Sequence, residues 1–121
     1  MKFSNTHEWV EINNDIATVG VTNFGRMHLG DVANIKLPTK DKEVKANEAV
    51  CVLESNKAAV DIHSPMSGKI IEINENLNTN LKDLNTSPEE KGWLFKVKIS
   101  DPNEEKALMS LDEYEKKVSS D

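Results

Sequence analysis

Apolar and polar side chains alternate with a period of two over most of this chain, and a helical repeat emerges only towards its end. The run His7-Glu8-Trp9-Val10-Glu11-Ile12 alternates, with Trp9 flanked by polar neighbours, and residues 16–22 are rich in β-branched side chains. Residues 7–22 therefore read as a hairpin closed at Asn13-Asn14, a pair that tolerates positive φ. Thr22-Asn23 predicts the cap of a short helix over residues 24–29, which Gly30 closes. A strand over 31–37 stops at Pro38, and residues 39–45 are a charged loop. Strands follow over 49–53, 58–62 and 69–73, broken by Ser55-Asn56-Lys57 and by Met66-Ser67-Gly68. A polar, asparagine-rich stretch then runs to Lys91, and alternation resumes from Leu94 to Ile99. In the tail, Leu108, Leu111, Tyr114 and Val118 are spaced by three or four, as on one helix face. Asp101-Pro102-Asn103 gives a start signal, and Ser110 with Glu113 has the spacing of a capping box for a second short helix.

Many short strands, few helices and frequent turns predict a mainly β fold, a sandwich or flattened barrel with a helical tail. With 121 residues the chain has the length of a single domain, its core over about 6–100 and its helical tail over about 103–118. Lysine and arginine number 15 against 21 aspartates and glutamates, giving a formal charge of −6. That balance argues against a nucleic-acid or anionic-membrane binder, which needs a clustered basic surface. No apolar run approaches the length of a membrane span. The opening residues show neither a signal-peptide core nor an arginine-rich presequence, so the expected location is cytoplasmic, or the mitochondrial matrix for a mature organellar form.

Catalytic equipment is sparse. The single cysteine, Cys51, sits between Val50 and Val52 and reads as a small buried hydrophobe. His7, His28 and His63 lack metal-ligand spacing, and no phosphate-binding glycine loop or nucleophile elbow is present. Trp9 and Trp93 read as packing residues, Met27 and Met66 as fillers, and His63 as a surface strand residue. Residues 89–91 read as a solvated loop, and the amphipathic tail as packing on its own domain. The expectation is a protein with no turnover of its own.

One place stands out. Glu54-Ser55-Asn56-Lys57-Ala58-Ala59 lies between two β-rich segments, and a tight turn there lifts Lys57 away from the body of the domain. The small residues after it leave room for another protein, which are the steric needs of an enzymatically modified lysine. An ordinary turn lysine meets the same description, and spacing alone does not separate the two.

The wider sequence does. Glu54-Ser55-Asn56-Lys57-Ala58-Ala59-Val60-Asp61-Ile62, followed by Ser64-Pro65-Met66-Ser67-Gly68, resembles the lipoyl-lysine hairpin of the glycine cleavage system H protein family. Thr6-His7-Glu8-Trp9-Val10, Leu29-Gly30-Asp31-Val32, Leu37-Pro38, Gly68-Lys69-Ile70-Ile71-Glu72-Ile73-Asn74, Ser87-Pro88, Gly92-Trp93-Leu94 and Glu113-Tyr114 match further family elements in order, over roughly residues 6–114. The chain departs from the pattern at Thr39-Lys40-Asp41, where the family has Val-Gly, and at Asn47, where it has Gly. It departs again at Asn56 for Val, at Val60 for Ser or Thr, and over residues 80–85. Asn and Asp tolerate turn geometry, so these changes bear on partner recognition more than on the fold.

The resemblance implies a flattened barrel-sandwich hybrid of the lipoyl- and biotinyl-carrier type. It implies lipoate joined to Lys57 as an amide by a lipoyl ligase or lipoyltransferase, with Glu54, Ser55, Asn56, Ala58 and Asp61 as the motif around the attachment point. The arm would take an aminomethyl group from glycine decarboxylase, the P protein, and deliver it to the aminomethyltransferase, the T protein. Dihydrolipoyl dehydrogenase, the L protein, would reoxidise it. The carrier would be a monomer. The loaded arm would fold into a cleft bordered by Thr6, Glu8, His28 and Asp61, Glu8 pairing with the cargo's amine. Two other roles fit the same residues: a lipoyl donor in lipoate assembly, and an unmodified docking protein. A biotin carrier, typically Met-Lys-Met at the turn, and a 2-oxoacid dehydrogenase lipoyl domain, typically Asp-Lys-Ala, fit less well than Asn56-Lys57-Ala58.

Overall fold

The alternating segments pair as two antiparallel sheets in the computed structural model, which describes residues 1–120. In chain order the strands are β1 Lys2–Phe3, β2 Glu8–Asn13, β3 Ile16–Val21, β4 Val32–Lys36, β5 Glu43–Val44, β6 Ala49–Ser55, β7 Ala59–His63, β8 Gly68–Ile73 and β9 Phe95–Ile99. The helices are α1 Asn23–Leu29, α2 Lys82–Thr86 and α3 Leu111–Ser119, with 3-10 turns at Glu75–Asn78 and Pro102–Ala107. One sheet has the order β1-β2-β3-β9-β8-β5 and the other β4-β6-β7. The fold is thus mainly β with short helices, as expected, but the sheets do not close into a barrel: β4 and β7 each pair only with β6.

Period-two alternation explains the core. Val10, Val19, Leu53, Ile62, Ile70 and Val97 lie in one buried cluster. Gly68 allows β8 to approach β9, since a Cβ there would come within 1.9 Å of the Lys98 carbonyl oxygen. A second, smaller cluster of Phe3, Trp9 and Tyr114 lies apart from the first. Tyr114 of α3 stacks on Phe3 with ring centroids 4.8 Å apart. Trp9 faces Gly20 across the β2–β3 ladder, and its indole N–H donates to the Pro88 carbonyl at 2.8 Å.

At the two positions where the resemblance implies glycine, the backbone is left-handed. Asp41 and Asn47 both have φ 71°, and Asn14 in the first hairpin turn has φ 59°; short polar side chains bear the left-handed region at low cost. Thr22 caps α1 by accepting from the Gly25 N–H, and Gly30 ends it. The Ser110–Glu113 capping box is present at α3.

Several readings need correction. The polar, asparagine-rich stretch before Lys91, where the pattern assigns no element, holds a 3-10 turn and α2 that bury Leu77 and Leu84, elements too short to display a period. The charged stretch 39–45 contains β5, which pairs with β8. The tail is not one helix face, because Leu108 lies outside α3 and Leu111 is exposed. Met66 is a buried filler, whereas Met27 is 69% exposed.

Cys51 is buried on β6, and that burial pushes its thiol up to about 12. In the unfolded chain the thiol ionises near pH ~9. The contribution to stability is therefore complete below that pH and is lost as pH rises towards about 12. Folded protein at pH ~8 should resist iodoacetamide at Cys51 and react once denaturant unfolds it. Free-thiol rates in native buffer would contradict this burial.

Candidate functional site

The β6–β7 hairpin presents Lys57 at its tip. Glu54 pairs with Ala59 in the ladder, and the Ser55 N–H donates to the Ala58 carbonyl at 2.8 Å. The Ser55 hydroxyl then accepts from the N–H groups of Lys57 and Ala58, each at 3.2 Å. A serine side chain thus holds the turn from within, as short hydroxyls do in tight loops. Asn56, Lys57 and Ala58 are exposed, and among the described residues the Lys57 ammonium makes no hydrogen bond or ion pair. Glu54 turns away from the lysine and accepts from the Asn34 side chain at 2.9 Å.

Beneath the lysine stem lies the end of α1. Gly30 has φ 91°, a backbone that favours glycine, and a Cβ there would lie 3.6 Å from Lys57 Cε. On the β7 side of the tip a cavity of about 290 Å³ opens between that strand and α1. Val21, Phe24, Leu29, Val60 and Ile62 give it an apolar wall, while Thr6, His7, His28 and Asp61 add polar groups. Val60 is the partly exposed residue on this wall, at a position where the resemblance implies a hydroxyl.

Of the four residues expected at the cleft, Thr6, His28 and Asp61 line the cavity and Glu8 does not. Glu8 shares the inward face of β2 with Val10 and is 0% exposed. Its Oε1 accepts from the hydroxyls of Ser4 and Thr6. Its Oε2 accepts from the His63 backbone N–H at 2.9 Å and lies 3.1 Å from His63 Nδ1. Glu8 thus stands behind the cavity rather than on its lining, with its oxygens held by Ser4, Thr6 and His63, and it meets the lining at Thr6. It also joins the segment before β2 to the end of β7, two sides of the cavity.

Two residues of this arrangement escaped the sequence reading. His63 is half-buried against Glu8 rather than a surface residue; the signal was the parity that puts Glu8 beside Val10, a buried carboxylate that must find donors. His7 has φ 71°, and its ring lies 4.9 Å from Phe24 in the cavity wall. Histidine's tolerance of that region was the available cue.

Comparison with known proteins gives one family over the whole chain. A family model described as "Glycine cleavage H-protein" matches residues 1–121. A glycine cleavage system H protein of Thermotoga maritima is 47% identical over 114 residues, covering 94% of this chain and 92% of its own. The mitochondrial glycine cleavage system H protein 2 of Arabidopsis thaliana is 42% identical, with 96% and 74% covered. Among solved structures, a glycine cleavage system H protein from Mycobacterium marinum superposes with a TM-score of 0.89 at 28% identity, covering 98% of this chain and 95% of its own.

Proposed function

The chain belongs to the glycine cleavage H-protein family, and from that premise we propose that it is the lipoyl carrier of a glycine cleavage system, one domain modified at Lys57. It takes an aminomethyl group from the P protein, gives it to the T protein and is reoxidised by the L protein, after a lipoyl ligase or lipoyltransferase has charged it. The observation that carries this reading is the exposed Lys57 at a serine-braced hairpin tip, with an apolar cavity opening beside the same hairpin.

The residues suit the group. Lys57 is free to be acylated, and the apolar wall of Val21, Phe24, Leu29 and Val60 is of the kind that receives a hydrocarbon arm. When bound, the lipoyl group supplies a dithiolane that can be opened, loaded and closed again. The domain's own part is presentation and shielding. Ser55 keeps the turn tight, so the attachment point stays clear of the sheet. A free lysine has a pKa near ~10.4, so its neutral amine is scarce at neutral pH and the charging enzyme must activate the acyl group. Thr6, His28 and Asp61 border the seat of the loaded end, Asp61 and Thr6 offering oxygen atoms to an amine and the apolar wall excluding water. Glu8 acts on that seat through Thr6.

On this reading the chain has no turnover of its own. The experiment is to purify the protein from its native cells and weigh it whole, then map any adduct. We expect an adduct of lipoyl mass on Lys57, and glycine cleavage when the P, T and L proteins are added. An unmodified Lys57 in cells that lipoylate other proteins would sink the proposal. An adduct without reconstituted glycine cleavage would turn the reading to a lipoyl donor.

A further inference from the structure

Among the described residues, a tyrosine hydroxyl ties the wall of the cavity formed by His7, Phe24 and His28 to the C-terminal helix. Tyr114, the only tyrosine, lies on α3 with its ring buried against Phe3. Its hydroxyl is 2.7 Å from His7 Nδ1 and 2.7 Å from Thr22 Oγ1. Thr22 Oγ1 in turn accepts from the Gly25 N–H at 3.1 Å, capping α1, and the Thr22 N–H donates to the His7 carbonyl at 3.0 Å. His7 holds φ 71°, a left-handed backbone that histidine tolerates better than most non-glycine residues. Its ring lies 4.9 Å from Phe24, which lies 4.1 Å from His28. A buried tyrosine needs a partner for its hydroxyl, and here both partners belong to the cavity's wall or its cap.

We propose that Tyr114 is a positioning residue for the arm's seat: its hydroxyl, between Thr22 and His7, fixes the α1 cap and the His7 ring, and through them the wall on which a docked arm rests. The inference rests on the carrier reading and adds to it a role for the C-terminal helix. Packing alone does not require the hydroxyl, because phenylalanine would keep the stack on Phe3. The hydroxyl sets geometry about 107 residues away in sequence from its own position.

The test is Tyr114→Phe, measured first on the unmodified chain. The His7 ring resonances should move, and amide exchange at Gly25 should quicken about fivefold, the effect of one lost hydrogen bond. The rings of the other two histidines should report where the disturbance ends. Thr22→Ser, which keeps the hydroxyl, should behave as the parent, whereas Thr22→Val should reproduce the disturbance. The second measurement uses lipoylated protein whose reduced arm is loaded with formaldehyde and ammonia. Carbon bonds to sulfur and to nitrogen as one water leaves; with water, release returns the thiol, formaldehyde and ammonia. Ammonia release should be several-fold faster from Tyr114→Phe than from the parent. Unchanged His7 resonances and Gly25 exchange in Tyr114→Phe would overturn the proposal, as would equal release rates from a protected parent and the variant. A parent that releases ammonia as fast as loaded free dihydrolipoamide would instead overturn the seat itself, and the proposal with it.

Discussion

Lys57→Arg should remove lipoyl attachment completely and leave the fold unchanged. Lys57 is exposed at the β6–β7 tip, its turn is held by Ser55, and its side chain contributes no hydrogen bond among the described residues. Arginine keeps the positive charge and the long stem, so the unfolding midpoint should stay within a degree or two, a shift worth less than ~0.5 kcal/mol. What arginine lacks is a primary amine able to form the amide; its guanidinium stays protonated and is a poor nucleophile. The measurement is incubation with a lipoyl ligase followed by intact mass. The thirteen other lysines serve as an internal control, because they remain available in the variant. Lipoate on the Lys57→Arg protein would show that some other lysine is the site.

Glu8→Ala should be the most damaging single substitution near the cavity, lowering stability by about 3 kcal/mol. The carboxylate is fully buried and meets four donors: the Ser4 and Thr6 hydroxyls, the His63 N–H and the His63 ring. Alanine leaves those donors facing a void. Glu8→Gln should cost much less, about 1 kcal/mol. Its carbonyl can face His63, and its amide can donate to Ser4 and Thr6, since hydroxyls also accept. Denaturant unfolding of the two variants checks this, with the slope confirming two-state behaviour. Equal losses for Ala and Gln would mean that the four contacts do not set the cost. The same comparison bears on the seat. If Glu8 acts through Thr6, Glu8→Gln should retain most of the shielding of a loaded arm, whereas a direct pairing with the cargo's charge would be lost with the carboxylate.

Much of this molecule is legible along the chain because its signals are local. The hairpin over Glu8–Asn13 and Ile16–Val21, the cap pair Thr22 and Gly30 around α1, and the Ser110–Glu113 box at α3 each depend on residues within a few positions of one another. The exposed Lys57 follows from the turn chemistry of Ser55 and Asn56 between two β segments. Asp41 and Asn47 were legible as glycine substitutes because the left-handed backbone they adopt is a property of the residue itself.

Alternation revealed that β2 has two faces, but not that both are buried. Val10 faces the main core while Trp9, its neighbour, packs in the second cluster with Phe3 and Tyr114. That second cover exists only because Phe3 exchanges backbone hydrogen bonds with Met109 and so brings the tail across the sheet. The burial of Glu8 has the same origin. A carboxylate one step from Trp9 looks like a solvent-facing group until His63, arriving from the end of β7, supplies donors to its second oxygen. Local sequence therefore determined the turns, caps, strand periods and the lysine at the tip, since these are set by side-chain sterics and short-range hydrogen bonds. The tertiary structure alone decided that Glu8 would brace the cavity rather than line it, and that Tyr114 would reach Thr22 and His7. The reason is that a buried polar group's role is set by whichever partners the fold brings to it, and the deciding ones here, His63 for Glu8 and both partners of Tyr114, lie 55 to 107 residues away along the chain.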